Sequence, residues 1–168
     1  KSKKNDKIIY QFLCNNALSS KVKYMNEFHL FPLIIRLFRG ISYLHSHSLI
    51  HRDLHSLNIL FDNDFRAYIT DFETIRKINQ ENEQKDFFTY DFGKIQFASP
   101  EQMEGNPISF STDIYSFGKI IEFIINNNPN NYFFPEIKNY LSNLYHICTK
   151  ENPEERATLD EIKNCIHE

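Results

Sequence analysis

Three cysteines in 168 residues, Cys14, Cys148 and Cys165, are too few and too scattered to staple a fold. An odd count with no close pair argues against a disulfide framework and a zinc-ribbon spacing, and points to a reducing compartment such as the cytoplasm. Long apolar runs are also missing: no stretch approaches the roughly 18 residues that span a bilayer. The basic opening, Lys1 to Lys7, is not followed by the apolar stretch of a signal peptide. Membrane insertion and secretion are therefore not expected. A formal net charge of -3 gives no general attraction for nucleic acid. At this length one folding unit is expected, and burying roughly 70% of its unfolded surface gives it a core that needs no metal or cross-link.

What charge there is falls unevenly. Residues 1 to 52 carry nine Lys or Arg against two acids, and residues 53 to 168 carry ten against twenty, so a basic part of +7 precedes an acidic part of -10. The KSKKNDK opening reads as a solvated turn. The asparagine-rich NNNPNNY stretch, Asn126 to Tyr132, reads as a surface turn, because Asn and Pro favour turns.

Apolar spacing predicts mostly helix with a few strands near the start. Ile8 to Leu13 reads as a buried strand, with a helix from Ala17 to Asn26. Leu30, Leu33, Ile34, Leu37, Ile41 and Leu44 recur at helical spacing. Leu49-Ile50, Ile59 to Phe61 and Ala67 to Ile69 read as short strands, the last two forming a hairpin through Asp62-Asn63-Asp64. Thr74 to Gly93 is polar and irregular, longer than structural loops usually run. Three further helices follow: one carrying Ile114 to Ile125, one from Ile137 to Ile147 and one from Leu159 to Ile166. Thr158 and Glu161 make a capping box for the last.

The stretch His51 to Leu60, HRDLHSLNIL, sets a carboxylate, Asp53, and a carboxamide, Asn58, five residues apart between strand-like segments. Asp71, in ITDFE, ends another apolar strand eighteen residues beyond Asp53. A base, a carboxamide and a second carboxylate aimed at one cleft are what metal-assisted phosphoryl transfer requires. The bland alternative, that each Asp caps a turn, holds for either residue alone.

Taken together these residues resemble the eukaryotic protein kinases. HRDLHSLN matches the catalytic-loop pattern H-R-D-L-x-x-x-N in full, and Asp71-Phe72 matches the first two positions of D-F-G. Ser99-Pro100-Glu101 stands where A-P-E is expected, and Asp113 to Gly118, DIYSFG, is similar to the family's next signature. Cys148, Pro153, Arg156 and Thr158 resemble its C-terminal Arg motif. With Ile8 to Leu13 resembling the strand into the hinge, the likeness covers nearly the whole chain. The wording of the motifs is most similar to the tyrosine-kinase-like branch, whose members mostly phosphorylate Ser and Thr.

The resemblance implies an α+β, predominantly α-helical fold, residues 1 to 168 being the hinge and C-terminal lobe of a kinase domain. ATP and Mg²⁺ are the implied cofactors and a protein the implied substrate. Asp53 would accept the hydroxyl proton, while Asn58 and Asp71 would hold Mg²⁺. Arg52 would contact a phosphorylated residue of the activation segment. Gln11 and Leu13 would offer backbone groups to the adenine, with Leu60 beneath it. His51 would pack under Phe72, Glu101 and Arg156 would pair, and Asp113 would brace the catalytic loop. The charge divide at Asp53 then falls where the acidic, magnesium-binding part begins.

Four departures temper this. Residues 1 to 7 cannot supply a Gly-rich loop, a phosphate-binding Lys or the Glu that pairs with it. The N-terminal lobe is therefore expected in a longer chain, and the isolated segment is expected to bind ATP weakly and transfer phosphate poorly or not at all. Glu73 replaces the Gly of D-F-G, where a side chain is expected to restrict the flip of this segment and a third acid near the metal site to perturb Mg²⁺ binding. His55 stands where Ser/Thr kinases carry Lys. Lys94 stands where they place a Thr, and Gln96 replaces a basic residue typical of tyrosine kinases, so both substrate-class indicators are lost. Thr74, Thr89 and Tyr90 are candidate phosphorylation sites of the segment Asp71 to Glu101. Two functional readings follow: part of a working protein kinase, or a pseudokinase-type module for binding or allosteric control. A transition-metal site at His45, His47, His51 and His55 is disfavoured, since no Cys or carboxylate completes a tetrahedral set.

Overall fold

The computed structural model describes residues 16–78, 94–128 and 135–167. The predicted strand Ile8 to Leu13, and with it Gln11 and Leu13, lies outside the described residues, as do Thr89 and Tyr90.

Strand β1 (Asn16–Ala17) leads into a short helix α1 (Leu18–Lys21) and a 3-10 turn (Val22–Tyr24), then the long helix α2 (Glu27–Ser46). Strands β2 (Leu49–Ile50), β3 (Ile59–Phe61) and β4 (Ala67–Ile69) follow. A 3-10 turn (Phe72–Thr74) and β5 (Arg76–Lys77) come next. After a further 3-10 turn (Ile95–Phe97) come α3 (Pro100–Glu104), α4 (Phe110–Asn127), α5 (Pro135–Cys148), a 3-10 turn (Pro153–Glu155) and α6 (Leu159–His167). The fold is α+β and predominantly helical, with two small antiparallel sheets, β1-β3-β4 and β2-β5.

The helix expected over Ala17 to Asn26 is broken in the structure. Ala17 pairs with Leu60 across the β1–β3 ladder, which holds it extended, and Met25 is extended again at φ -83° and ψ 144°. Between them Leu18–Tyr24 is helical, with Leu18 and Val22 buried, and strand pairing overrides local helix preference at Ala17. The polar stretch after Thr74 is not wholly irregular either: Arg76 and Lys77 pair with Ile50 and Leu49.

Helix α2 buries the stripe read from its spacing, Leu30, Leu33, Ile34, Leu37, Ile41 and Leu44. At its start the backbone N–H of Asn26 donates to His29 Nδ1 at 3.3 Å. Helix α4 is the central element, with Ile114, Phe117, Ile120, Ile121 and Ile124 all buried. Its crossing with α5 is close at Gly118, where an added Cβ would stand 2.8 Å from Cys148 Cβ and 2.6 Å from Thr149 Cγ2. The β3–β4 turn is tied by Asp62, whose Oδ1 accepts from the backbone N–H groups of Asp64 and Arg66. At the other end Thr158 and Glu161 exchange hydrogen bonds ahead of α6, the geometry of a capping box.

Two features of this frame aim the polar residues. The β3–β4 register pairs Ile59 with Ile69, so Asn58 and Asp71 leave the hairpin at the same end. Thr70 closes that end, donating its N–H and its hydroxyl to the Asn58 carbonyl at 2.9 and 3.1 Å.

Candidate active site

The loop from His51 to Asn58 is shaped from below by one buried carboxylate. Asp113, on the first turn of α4 and fully buried, accepts from the backbone N–H of His51 at Oδ2 and of Arg52 at Oδ1, both at 2.9 Å. His45 on α2 completes the set, its Nε2 2.9 Å from Asp113 Oδ2. Arg52 sits at φ +74°, a conformation that costs a non-glycine residue of order 1–3 kcal/mol and persists only where its surroundings enforce it. Asp113 supplies that enforcement, and Gln102 adds to it by donating from Nε2 to the Arg52 carbonyl at 2.8 Å.

His51 is the roof support. Its Nε2 donates to the Thr70 carbonyl at 3.1 Å and its Nδ1 accepts a long bond, 3.4 Å, from the Asp53 N–H. The ring meets Phe72 edge-on with centroids 5.6 Å apart. Burial, outweighing the nearby carboxylates, holds its pKa below the usual histidine value, so the ring is neutral at pH 7.

Asp53 is largely enclosed, with only a tenth of its side chain exposed. Asn58 Nδ2 donates to its backbone carbonyl at 2.9 Å and to its Oδ2 at 3.3 Å. Lys94 Nζ reaches the same Oδ2 at 3.0 Å, and His55 Nε2 stands 3.5 Å from it. Burial would raise the carboxyl pKa, but hydrogen bonds and charge from His55 and Lys94 prevail and hold it at about 2. The group is an acceptor at any physiological pH.

Asn58 spends its NH₂ on Asp53, so the oxygen of its amide is the atom available to a ligand. Asp71, at φ +63°, presents an exposed carboxylate at the same hairpin end. A carboxamide oxygen and one carboxylate form a hard-oxygen set of the kind Mg²⁺ accepts when phosphate oxygens and water fill its remaining positions. The donor chemistry therefore fits this metal. Among the described residues no cluster of three His, Cys, Asp or Glu side chains could hold an ion by itself, the four neighbouring histidines included. Two of these have other work, His45 on Asp113 and His51 on Thr70.

The remaining predicted residues take definite places. Arg52 Nη1 donates to the Thr74 carbonyl at 3.3 Å, while the Thr74 hydroxyl donates to the His51 carbonyl at 2.7 Å. Leu60, central in β3, is half-buried on the face opposite Ile59 and Phe61. Phe72 is half-exposed. Glu101 and Arg156 form a buried bidentate pair, with both N–O distances 2.7 Å. Glu73 lies exposed in the right-handed turn Phe72–Thr74, and the positive φ of this segment belongs to Asp71.

Sequence reasoning missed three residues of this network. His45 lies 68 positions from Asp113 and Gln102 lies 50 from Arg52, so no spacing reveals either contact. Lys94 was read as a lost indicator, whereas it sits on Asp53. The one available signal was the paired departure at His55 and Lys94.

A family model for the protein kinase domain matches residues 3–132, most of the chain. The chain is 29% identical over 182 residues to Cysteine-rich receptor-like protein kinase 44 of Arabidopsis thaliana, covering 95% of this chain and 48% of that protein. It is 28% identical over 179 residues to G-type lectin S-receptor-like serine/threonine-protein kinase SD1-13 of the same plant, covering 95% and 21%. Against Dual specificity protein kinase zakA of Dictyostelium discoideum the identity is 36% over 124 residues, covering 66% and 15%. The chain thus spans half or less of the length of these relatives.

Proposed function

The chain belongs to the protein kinase family, and from that premise we propose that the full-length protein transfers the γ-phosphoryl group of ATP to a protein hydroxyl, serine or threonine before tyrosine. The observation that supports the reading is the placement of Asp53, Asn58 and Asp71 at one end of the β3–β4 hairpin. Asn58 is hydrogen-bonded to Asp53, and the β3–β4 register brings Asp71 beside Asn58. The serine/threonine preference leans on the printed names of relatives such as the SD1-13 kinase.

In this mechanism the substrate hydroxyl donates to Asp53, whose low pKa keeps it an acceptor throughout. A weak base suffices, because the loose transition state of phosphoryl transfer asks for orientation of the attacking oxygen more than for early proton removal. Asn58 and Asp71 would hold Mg²⁺, which when bound neutralises phosphate charge. Asp113 and Gln102 fix the backbone from which Asp53 projects, so the acceptor does not wander when substrate arrives.

Asp71→Asn in the full-length protein tests the reading. Loss of one metal-holding carboxylate is expected to cut phosphate transfer from ATP to a general acceptor protein at least about 100-fold, and to weaken ADP binding only when Mg²⁺ is present. If the variant labels the acceptor as fast as the parent, the assignment of Asp71 is wrong. If the parent itself neither labels nor binds ADP·Mg²⁺, the pseudokinase-type module takes its place.

A further inference from the structure

The cation on Asp53 comes from an unexpected direction. Lys94 precedes the Ile95–Phe97 turn, 41 residues from Asp53 in sequence, and its ammonium lies 3.0 Å from Asp53 Oδ2. The contacts divide the two carboxylate oxygens: Lys94, Asn58 and the more distant His55 all gather on Oδ2. Among the described residues no side chain is recorded on Oδ1, which is the oxygen left to receive a hydroxyl. The Lys94 side chain is 28% exposed against 10% for Asp53, so the ammonium is the more solvent-accessible partner of the pair. An ammonium carries three donors, and one is directed at Oδ2.

Among the described residues of this loop the other cationic candidates are engaged or neutral. Arg52 donates to the Thr74 carbonyl, burial keeps His51 uncharged, and His55 accepts from the Leu57 N–H at Nδ1, which leaves only its Nε2 toward Asp53. A phosphoryl group in transfer spreads negative charge over its equatorial oxygens, and a positioned cation within reach of them is among the largest electrostatic contributions to catalysis. In the phosphotransfer reading a hydroxyl held by Oδ1 would bond to the γ-phosphorus as the bond from that phosphorus to the ADP oxygen breaks, ADP leaving and the hydroxyl proton passing to Asp53. The Lys94 donors not directed at Oδ2 would face the transferring oxygens.

We infer that Lys94 is the phosphate-facing cation of this site, bridging Asp53 Oδ2 and the phosphoryl group in flight, a role held by the segment before α3 instead of by the His51 to Asn58 loop. The inference rests on the phosphotransfer reading above. It makes Lys94 the element that couples the position of that segment to the charge at the reacting centre.

The test uses the full-length protein with two probes, ADP·Mg²⁺ alone and ADP·Mg²⁺ with aluminium fluoride, which imitates the phosphoryl group in transfer. Lys94→Met is expected to weaken the aluminium fluoride complex at least about 100-fold while leaving ADP·Mg²⁺ affinity within about twofold. His55 Nε2 already lies 3.5 Å from Asp53 Oδ2, so His55→Lys combined with Lys94→Thr is expected to recover most of the lost affinity. Equal binding of both probes by Lys94→Met, or equal weakening of both, overturns the inference and leaves the kinase reading standing. A parent protein that binds neither probe overturns both, and a double variant no better than Lys94→Met shows that position and not charge was lost, which also overturns the inference.

Discussion

His51 shows how surroundings rewrite the chemistry of one side chain. Buried beneath Phe72 and tied to the Thr70 carbonyl, it keeps its neutral form below the pH at which a free imidazole takes up a proton. Its folded pKa lies below the ordinary 6.5, so the unfolded chain binds the proton first as pH falls. The stability tied to neutral His51 is therefore fully present above pH 6.5 and is lost as pH falls through the folded value. An imidazole titration followed by NMR in the full-length protein should place His51 below 6.5; a midpoint at or above 6.5 contradicts the burial argument. Neighbouring Arg52 and Asp71 carry the strain of the site at φ +74° and +63°. Both adjoin residues whose side chains or backbone face the cleft, so the distortion serves to aim them.

Among the elements, α3 and the turn before α6 are joined by the pair of Glu101 and Arg156. Every face of the Arg156 guanidinium is occupied: Glu101 takes it bidentately, the carbonyls of Lys150, Ser111 and Glu151 accept from it, and Tyr115 lies 4.9 Å from its centre. Thr112 of α4 donates to the same Glu101. Arg156→Ala leaves a buried carboxylate unpaired and is expected to destabilise the full-length protein by about 3–5 kcal/mol in urea unfolding. Replacing both partners, Glu101→Leu with Arg156→Met, is expected to cost less than Arg156→Ala alone. A double variant less stable than the single one contradicts this account. The helices that hold this network were legible because their apolar residues repeat at helical spacing, as in the α2 stripe from Leu30 to Leu44. The shortening of the helix expected over Ala17 to Asn26 has the opposite cause. Ala17 pairs with Leu60 of a distant strand, which outweighs local preference at that end, and nothing between Ala17 and Leu60 in sequence announces the pairing.

At the scale of the whole molecule, Asn58 just before β3 is hydrogen-bonded to Asp53, Asp71 follows β4 at the same end of the hairpin, and Asp113 of the central helix holds the backbone of the loop. These four were legible because their motifs stand in a fixed order along the chain. What the sequence could not disclose was who touches whom: His45 on Asp113, Gln102 on Arg52 and Lys94 on Asp53 are contacts between elements far apart in the chain. Such contacts depend on packing geometry, which has no local signature. The chain's membership of the protein kinase family and this arrangement support our central proposal, that Asp53 is the acceptor for a hydroxyl attacking the γ-phosphorus of ATP. The most direct test compares phosphate transfer from ATP·Mg²⁺ to an acceptor protein by the full-length parent and by Asp53→Asn, at equal melting temperature. The account predicts a loss of at least about 100-fold in turnover with nucleotide affinity retained; a folded Asp53→Asn protein that transfers phosphate at the parental rate would contradict it.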